Sequence, residues 1–404
     1  MNLTPEQVEF GLRVAAALIA LLWVLLVLDR NRWWPSQWSL HLDAAAREPR
    51  PEEHGEIAVV IPARNEAALL PRTLPRLLKQ ARWYRRLVVV DDRSHDHTAS
   101  SARRLAAGTL AEDLLRVERI TESDPGWTGK LYAMQRGYEA AVQDWHGDPS
   151  RHWILFTDAD ILHPVSSIGR LVAKASSENI DLVSVMVKLR ARSFWEWLLI
   201  PASTYFFQLL YPFRKVSSPR SRRAAAGALV LVRRSALEDA GGLEAIRARA
   251  LDEMALAQAI RRTGGKCWLG LDPDMHSLRT YDSYGAVREM VVRSAFEQLG
   301  RHYLLVPVAW LGLAALYMAP PLLTLHGAVR LDPIIGIGGG IAWLLGTAHY
   351  LPAVQYLGVP SGLAFTLPVA ALFHAFMITA SAWRALIGRG AERRAPTEVG
   401  LTDE

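Results

Sequence analysis

Two aspartates separated by one residue, Asp158-Ala159-Asp160, stand directly after the apolar run Trp153-Ile-Leu-Phe156 and Thr157. If the two-residue alternation of a strand continues through them, both carboxylates face one side. Two hard oxygen ligands so placed suit Mg2+ or Mn2+ completed by substrate phosphates, and such an ion would neutralise a diphosphate as it leaves. Upstream, Asp91-Asp92 end the run Leu87-Val-Val-Val90 and lead into Ser94, Asp96 and Thr98. Paired carboxylates there can accept hydrogen bonds from a nucleobase N–H and ribose hydroxyls, while Ser94 or Asp96 would equally serve as helix N-caps. A further polar burst, Pro62-Ala-Arg-Asn-Glu66, follows Ile57-Ala-Val-Val-Ile61. In Gly126-Trp-Thr-Gly129-Lys130, the glycine-flanked lysine can reach a phosphate or carboxylate, or simply lie on the surface after a turn. The spacing is not that of a P-loop. Asp252-Glu253 open a helical pattern, where acids offset the helix dipole or one of them acts as a general base.

The elements that must position these groups follow from the surrounding pattern. Each of the first three bursts begins where an apolar β-forming run stops, at a strand's C-terminal end, which is where open α/β sheets bind ligands. From Glu56 to about Arg301, short β-branched runs alternate with longer Ala- and Leu-rich segments of helical period. This predicts α/β architecture, a mostly parallel sheet flanked by helices. Gly227-Ala-Leu-Val-Leu-Val232 reads as a buried strand, with glycine where the backbone must approach something closely. A helix is expected over Ser235–Ala240, ending at Gly241-Gly242.

Both ends have a different character. Within 404 residues there is room for a catalytic domain of about 250 residues plus several membrane spans. The run from Val14 to Leu28, extended by Leu12, is almost unbroken Ala, Leu, Ile and Val and is followed by Asp29, Arg30, Asn31, Arg32, Trp33 and Trp34, the pattern of a signal-anchor with an aromatic and basic cytoplasmic flank. Cleavage after Ala44-Ala45-Ala46 is the rival reading, but the apolar run lies far from that site. Apolar segments near 303–325, 332–351 and 362–387 predict three late membrane helices. The aromatic segment 194–213 is expected to lie on the bilayer as an interfacial helix, since a span there would separate the two halves of the site. One anchor and three spans would leave the C-terminus outside, whereas Arg384, Arg389, Arg393 and Arg394 favour the cytoplasm; a re-entrant late segment would reconcile them. Gly336–Gly340 is expected to serve close helix packing. The single cysteine, Cys267, excludes internal disulfides and a Cys-rich metal site. A net charge of +6 suits an anionic membrane surface or phosphate ligands, and no DNA- or RNA-binding motif is present, so nucleic acid is not an expected partner.

Taken in order, these motifs resemble the family-two inverting glycosyltransferases of GT-A fold, most closely their hopanoid-associated members related to ceramide glucosyltransferases. The resemblance covers about residues 55–302 and the flanking membrane segments. It implies an anchor at 1–32, a transferase domain at 55–302, membrane helices at 303–388 and a polar tail at 389–404. It further implies a nucleotide-sugar donor, expected to be a UDP-sugar, a lipid acceptor, expected to be hopanoid-related, and an inner-membrane, multi-pass protein whose catalytic domain faces the cytoplasm. Donor contacts would come from Pro62, Ala63, Asn65, Glu66, Asp91, Asp92, Lys130 and Asp158. Asp160, with Asp158, would hold Mg2+ or Mn2+, and the base would be Glu253 or Asp252. Where relatives carry Gln-x-x-Arg-Trp, this chain has Gln298-Leu-Gly-Arg301-His302. The Gln and Arg can still serve the donor, while loss of the Trp weakens a processive synthase reading and favours a single sugar addition. The competing readings are a polyprenyl-phosphate glycosyltransferase and a catalytically inert membrane scaffold.

Overall fold

The computed structural model describes residues 4–28, 55–122, 124–218, 221, 224, 226–249 and 252–387. The flank at 29–34, Ala44–Ala46, Leu251, the side chain of Asp252, and Arg389, Arg393 and Arg394 lie outside the described residues. By internal contact the described residues form two units, an α/β unit (55–190 and 213–280) and a helical unit (4–28, 191–212 and 281–387).

In the α/β unit, alternation along each apolar run sends successive side chains to opposite faces of the sheet. The strands are β1 (Glu56–Ala63), β2 (Arg86–Asp92), β3 (Leu115–Ile120), β4 (His152–Thr157), β5 (Ile161–Leu162), β6 (Leu182–Lys188), β7 (Leu229–Arg233) and β8 (Cys267–Ser277). They form one sheet in the order β3-β2-β1-β4-β7-β6-β8-β5. Strands β1 to β4 run parallel, β7 is antiparallel to both β4 and β6, and β8 is parallel to β6. Consequently β1, β2, β4, β6 and β8 end at the same edge, where the acidic bursts begin.

Ile57, Val59, Ile61, Leu87, Val89, Trp153 and Leu155 pack on one face, beneath helices Leu70–Leu78, Thr98–Ala106 and Ser167–Ser177. Ala58, Val60, Val88, Val90, Ile154 and Phe156 face the other way, against helices Gly129–Val142, Arg234–Asp239 and Asp252–Arg262. Both faces of a parallel sheet must be covered in this way, which is why its strands read as continuous apolar runs. The close approach anticipated at Gly227 is to β6, since a Cβ there would lie 2.4 Å from the Val185 carbonyl oxygen.

In the helical unit, four helices are long and apolar enough to cross a membrane among the described residues: Pro5–Leu28, Leu305–Arg330, Pro333–Tyr356 and Ser361–Leu386. Small residues let them pack closely. A Cβ on Gly327 would meet the Gly336 nitrogen at 2.2 Å, one on Gly338 would meet Ala16, and one on Gly346 would meet the ring of Trp23. The second span passes through a π-helical turn, Ala314–Met318, whose Leu316 carbonyl accepts a hydrogen bond from Trp23 Nε1 at 3.0 Å. Helix Phe194–Leu210 joins this unit through Tyr205, whose hydroxyl meets His349 Nδ1 at 2.9 Å, and Ser203, which meets His374 Nε2 at 3.0 Å. Arg384 is held by both oxygens of Glu289, at 2.7 and 2.6 Å, so it is a paired charge within this unit as well as a candidate topology signal.

Helix Gly129–Val142 crosses β1 and β2 at Gly137, where a Cβ would sit 2.4 Å from Val60 and 2.9 Å from Val90. Gly137→Leu should therefore destabilise the α/β unit by about 1–3 kcal/mol through overpacking. Gly285→Ala, whose added Cβ meets nothing closer than 3.8 Å, should change stability by no more than about 0.5 kcal/mol. Thermal unfolding of the purified variants checks both.

Candidate active site

The loops after β1 and β2 are laced together by the acceptors that the sequence placed there. Asn65 adopts a left-handed backbone with φ of 57°. Its N–H donates to Ser94 Oγ, and its side-chain oxygen accepts from the His95 N–H, each at 2.9 Å. The Glu66 N–H donates to Thr98 Oγ1 at 2.9 Å, and the Ala67 N–H to Asp96 Oδ2 at 3.0 Å. Ser94 and Asp96 are thus loop ties. His97 occupies the N-cap position of helix Thr98–Ala106 without a side-chain cap, while Asp96 Oδ1 accepts the N–H of Thr98, the first helical residue, at 3.0 Å, so Asp96 serves the helix start and the β1 loop together. Asp91 accepts from the Ser94 N–H at 3.0 Å, and Asp92 is paired with Arg93 at 2.8 Å; both aspartates are buried. Gly129 lets the next helix start against Asp92, since a Cβ there would lie 2.9 Å from Asp92 Oδ2. Pro62 and Ala63 sit in register with Val90 and Asp91.

The Asp158–Asp160 segment differs from its sequence-based expectation. Strand β4 stops at Thr157, and the segment turns, with the Ile161 N–H donating to the Asp158 carbonyl at 3.3 Å. Strand alternation therefore does not align the carboxylates. The turn is imposed from outside: Thr73 Oγ1 donates to the Ala159 carbonyl at 2.7 Å, and the Leu278 N–H donates to the Asp160 carbonyl at 2.9 Å. Beneath it, buried His163 bridges Thr157 Oγ1 at 2.9 Å and Ser167 Oγ at 3.2 Å, and Gln80 ties Ser167 to the Pro164 carbonyl.

This turn gathers the charges. Lys130 Nζ lies 2.8 Å from Asp158 Oδ1 and is also paired with Glu253, so the helix carrying Glu253 and the turn carrying Asp158 meet at one ammonium. Asp160 Oδ2 accepts from Ser277 Oγ at 2.6 Å and lies 3.5 Å from Arg279 Nε, while Arg279 Nη2 lies 2.7 Å from Glu66 Oε1. Burial pushes the Glu66 carboxyl up to about 7; Arg279 opposes that rise, and Asp160 and Asp158 add to it. Glu66, Asp158, Asp160, Lys130 and Glu253 thus form one cluster. Gln298 and Arg301 belong to the helical unit, where Arg301 pairs with Glu297 at 3.0 Å.

Ser277 and Arg279 complete the cluster and escaped sequence reasoning. Their i, i+2 spacing at the end of a strand is the same signal as the other bursts, but β8 carries Asp272, Pro273 and Asp274, which interrupt the apolar run that would have marked it.

The donor set fits a hard divalent ion in one mode. Carboxylate oxygens of Asp160 and Asp158 are offered at the turn, while no group of three or more His, Cys, Asp or Glu side chains stands ready to hold an ion among the described residues. Such an ion is one completed by substrate phosphate, as Mg2+ commonly is.

The mixed, mostly parallel sheet with helices on both faces and acidic groups at the strand ends defines a GT-A-type nucleotide-diphospho-sugar transferase fold. The chain matches the family described as Glycosyl transferase family 2 over residues 58–241. It is 36% identical over 107 residues to 4,4'-diaponeurosporenoate glycosyltransferase of Staphylococcus haemolyticus (strain JCSC1435), covering 26% of this chain and 24% of that protein. It is 30% identical over 147 residues to undecaprenyl-phosphate 4-deoxy-4-formamido-L-arabinose transferase of Proteus mirabilis (strain HI4320), covering 36% of this chain and 40% of that protein. The chain therefore spans well under half the length of either relative. Among solved structures, a mannosyltransferase from Pyrobaculum calidifontis in complex with GDP-Man and Mn2+ is similar, with a TM-score of 0.50 and 20% identity, covering 94% of this chain and 99% of that one. At that identity the likeness is one of fold.

The tether under the acidic turn has a pH signature. Complete burial lowers the His163 imidazole from 6.5 to about 3, so it stays neutral when folded but takes a proton in the unfolded chain. The unfolded state then binds more protons, and stability falls as pH drops from about 6.5 toward 3. His163→Gln removes this contribution. Glu66 acts in the opposite sense in both proteins and cancels in the comparison. The wild type's advantage over His163→Gln should shrink by up to about 1.4 kcal/mol per pH unit below pH 6, read from thermal unfolding of both between pH 7 and 5. A difference that stays constant with pH would contradict a neutral buried imidazole.

Proposed function

We propose that this chain is a membrane-anchored glycosyltransferase that moves one sugar from a nucleotide-diphosphate donor to a lipid acceptor, with inversion. The observation that carries this reading is the cluster at the strand edge, where Asp158 and Glu253 share Lys130 and Asp160 stands beside Ser277 and Arg279. Nucleobase and ribose fall to the Pro62–Glu66 and Asp91–Asp92 loops, whose backbones are already fixed by Ser94, Asp96 and Thr98. Asp160 with Asp158 would hold Mg2+ or Mn2+, which supplies charge neutralisation to the diphosphate as it departs. Glu253 is the base in this reading, in preference to Asp252, because its carboxylate reaches the cluster through Lys130. It takes the proton of the acceptor hydroxyl, and that oxygen attacks the anomeric carbon as the nucleoside diphosphate leaves, with no covalent intermediate. Lys130, paired with Glu253, holds that carboxylate in place and offers its charge to the leaving group.

The acceptor class is supported by the apolar helices and by the two curated relatives, whose names specify diaponeurosporenoate and undecaprenyl-phosphate. Within that class we favour a hopanoid-related lipid and a UDP-sugar, as the motif resemblance implies. We assign residues 1–32 as the anchor, 55–302 as the transferase region with a helix at the bilayer surface near 194–213, 303–388 as membrane helices and 389–404 as a tail. In this assignment the transferase faces the cytoplasm at the inner membrane, and Gln298 and Arg301 serve the donor. The Proteus relative favours one second reading, a polyprenyl phosphate acceptor, which needs no strong base.

Membranes containing the full chain, given labelled nucleotide sugars and a total lipid extract, test both. Labelled lipid should form with wild type, and fall at least about 100-fold with Asp160→Asn, with Glu253→Gln or with chelator. Transfer that survives Glu253→Gln while still requiring Asp160 would select the phosphate acceptor. Label entering no lipid from any donor would overturn the proposal.

A further inference from the structure

Arg279 occupies a place that a divalent ion would contest. Its guanidinium reaches Glu66 Oε1 at 2.7 Å through Nη2 and Asp160 Oδ2 at 3.5 Å through Nε. The same Asp160 oxygen accepts the Ser277 hydroxyl, and Ser277 Oγ also accepts the Arg279 N–H at 3.3 Å. The end of β8 is therefore folded around Asp160, with a fixed positive charge beside the carboxylate oxygen that an ion would seek. Arg279 cannot shed its charge, because a guanidinium stays protonated at any physiological pH. Two cations sharing one carboxylate repel each other until further negative charge arrives. A diphosphate brings that charge, and its oxygens match the guanidinium fork as well as a carboxylate does.

We propose that Arg279 interlocks ion binding with donor binding: it guards Asp160 and Glu66 in the donor-free site, and exchanges them for the diphosphate when nucleotide and ion arrive together. This rests on reading the cluster as the donor site. Arg279 is a positioning residue in the free enzyme and a diphosphate contact in the loaded one. The ion alone binds weakly, so the acidic turn is not filled by stray divalent cations in the absence of donor.

The test uses the purified full chain in detergent, with Mn2+ binding followed by electron paramagnetic resonance and UDP and GDP binding by titration calorimetry. Wild type should bind Mn2+ weakly alone, and at least about tenfold more tightly with a nucleoside diphosphate. Arg279→Gln should shift the two affinities in opposite directions, Mn2+ alone about tenfold tighter and the nucleoside diphosphate about tenfold weaker. A variant that merely misfolds would lose both. Arg279→Lys, which keeps the charge and loses the fork, should retain weak Mn2+ binding while losing part of the nucleotide affinity. Nucleotide binding by wild type combined with unchanged Mn2+ affinity in Arg279→Gln would overturn the interlock and leave the donor site standing. Equal Mn2+ tightening in the Lys and Gln variants would also overturn it. Failure of wild type to bind either nucleotide, with or without Mn2+, would overturn the donor-site reading and the interlock with it.

Discussion

Crowded negative charge is the constraint on which the α/β unit depends. A sheet whose strands β1, β2, β4, β6 and β8 all end at one edge delivers whatever follows them to one place, and here acidic residues follow three of them. Helix Asp252–Arg262 adds Glu253. Carboxylates brought together away from water must be paired or protonated. The molecule uses both solutions: Lys130 serves Asp158 and Glu253, Arg279 serves Asp160 and Glu66, and burial raises the Glu66 carboxyl to about 7. In the proposed function, that crowded charge is what a cation-bearing, phosphate-bearing ligand would meet.

The remainder of the unit holds that cluster in place. Polar side chains in the β1 and β2 loops are largely consumed by backbone groups of the neighbouring loop, so Asp91 and Asp92 are held on a fixed frame. The Asp158–Asp160 turn is gripped by Thr73 from one side and by β8 from the other, above a buried relay of Thr157, His163, Ser167 and Gln80. In the helical unit, Tyr205 and His349, Ser203 and His374, and Trp23 and the Leu316 carbonyl pair with one another between apolar helices.

How much of this was legible depended on whether apolar continuity marked the element. Strands β1, β2 and β4 carry unbroken apolar runs covered on both faces, so their ends, and the acids there, could be read directly. Strand β8 could not, because Asp272, Pro273 and Asp274 interrupt it, and with it Ser277 and Arg279 were missed; β5, at two residues, is too short for any periodic signal. The alternation argument at Asp158–Asp160 failed for a different reason. Local period describes a chain left to itself, whereas Thr73 and the Leu278 N–H, distant in sequence, force the turn. Ser94 similarly looked like a cap, and Asp96, which does accept the Thr98 N–H, also ties the Ala67 N–H; these β1-loop partners were invisible to local reasoning. Within Gly336–Gly340 close helix packing is realised at Gly339, where a Cβ would lie 2.6 Å from the Thr324 nitrogen and 2.8 Å from the Pro320 carbonyl oxygen, and at Gly338 against Ala16, while Gly336 and Gly340 have room for a Cβ.

The central claim is that the ends of β1, β2 and β4 receive a nucleotide-sugar. The most direct measurement is photolabelling of the purified full chain with an azido-substituted UDP-sugar, followed by peptide mapping, with and without excess unlabelled UDP. The account predicts label on the peptides carrying Pro62–Glu66 and Asp91–Thr98, suppressed by the competitor. Specific, competable label confined to other peptides would contradict it.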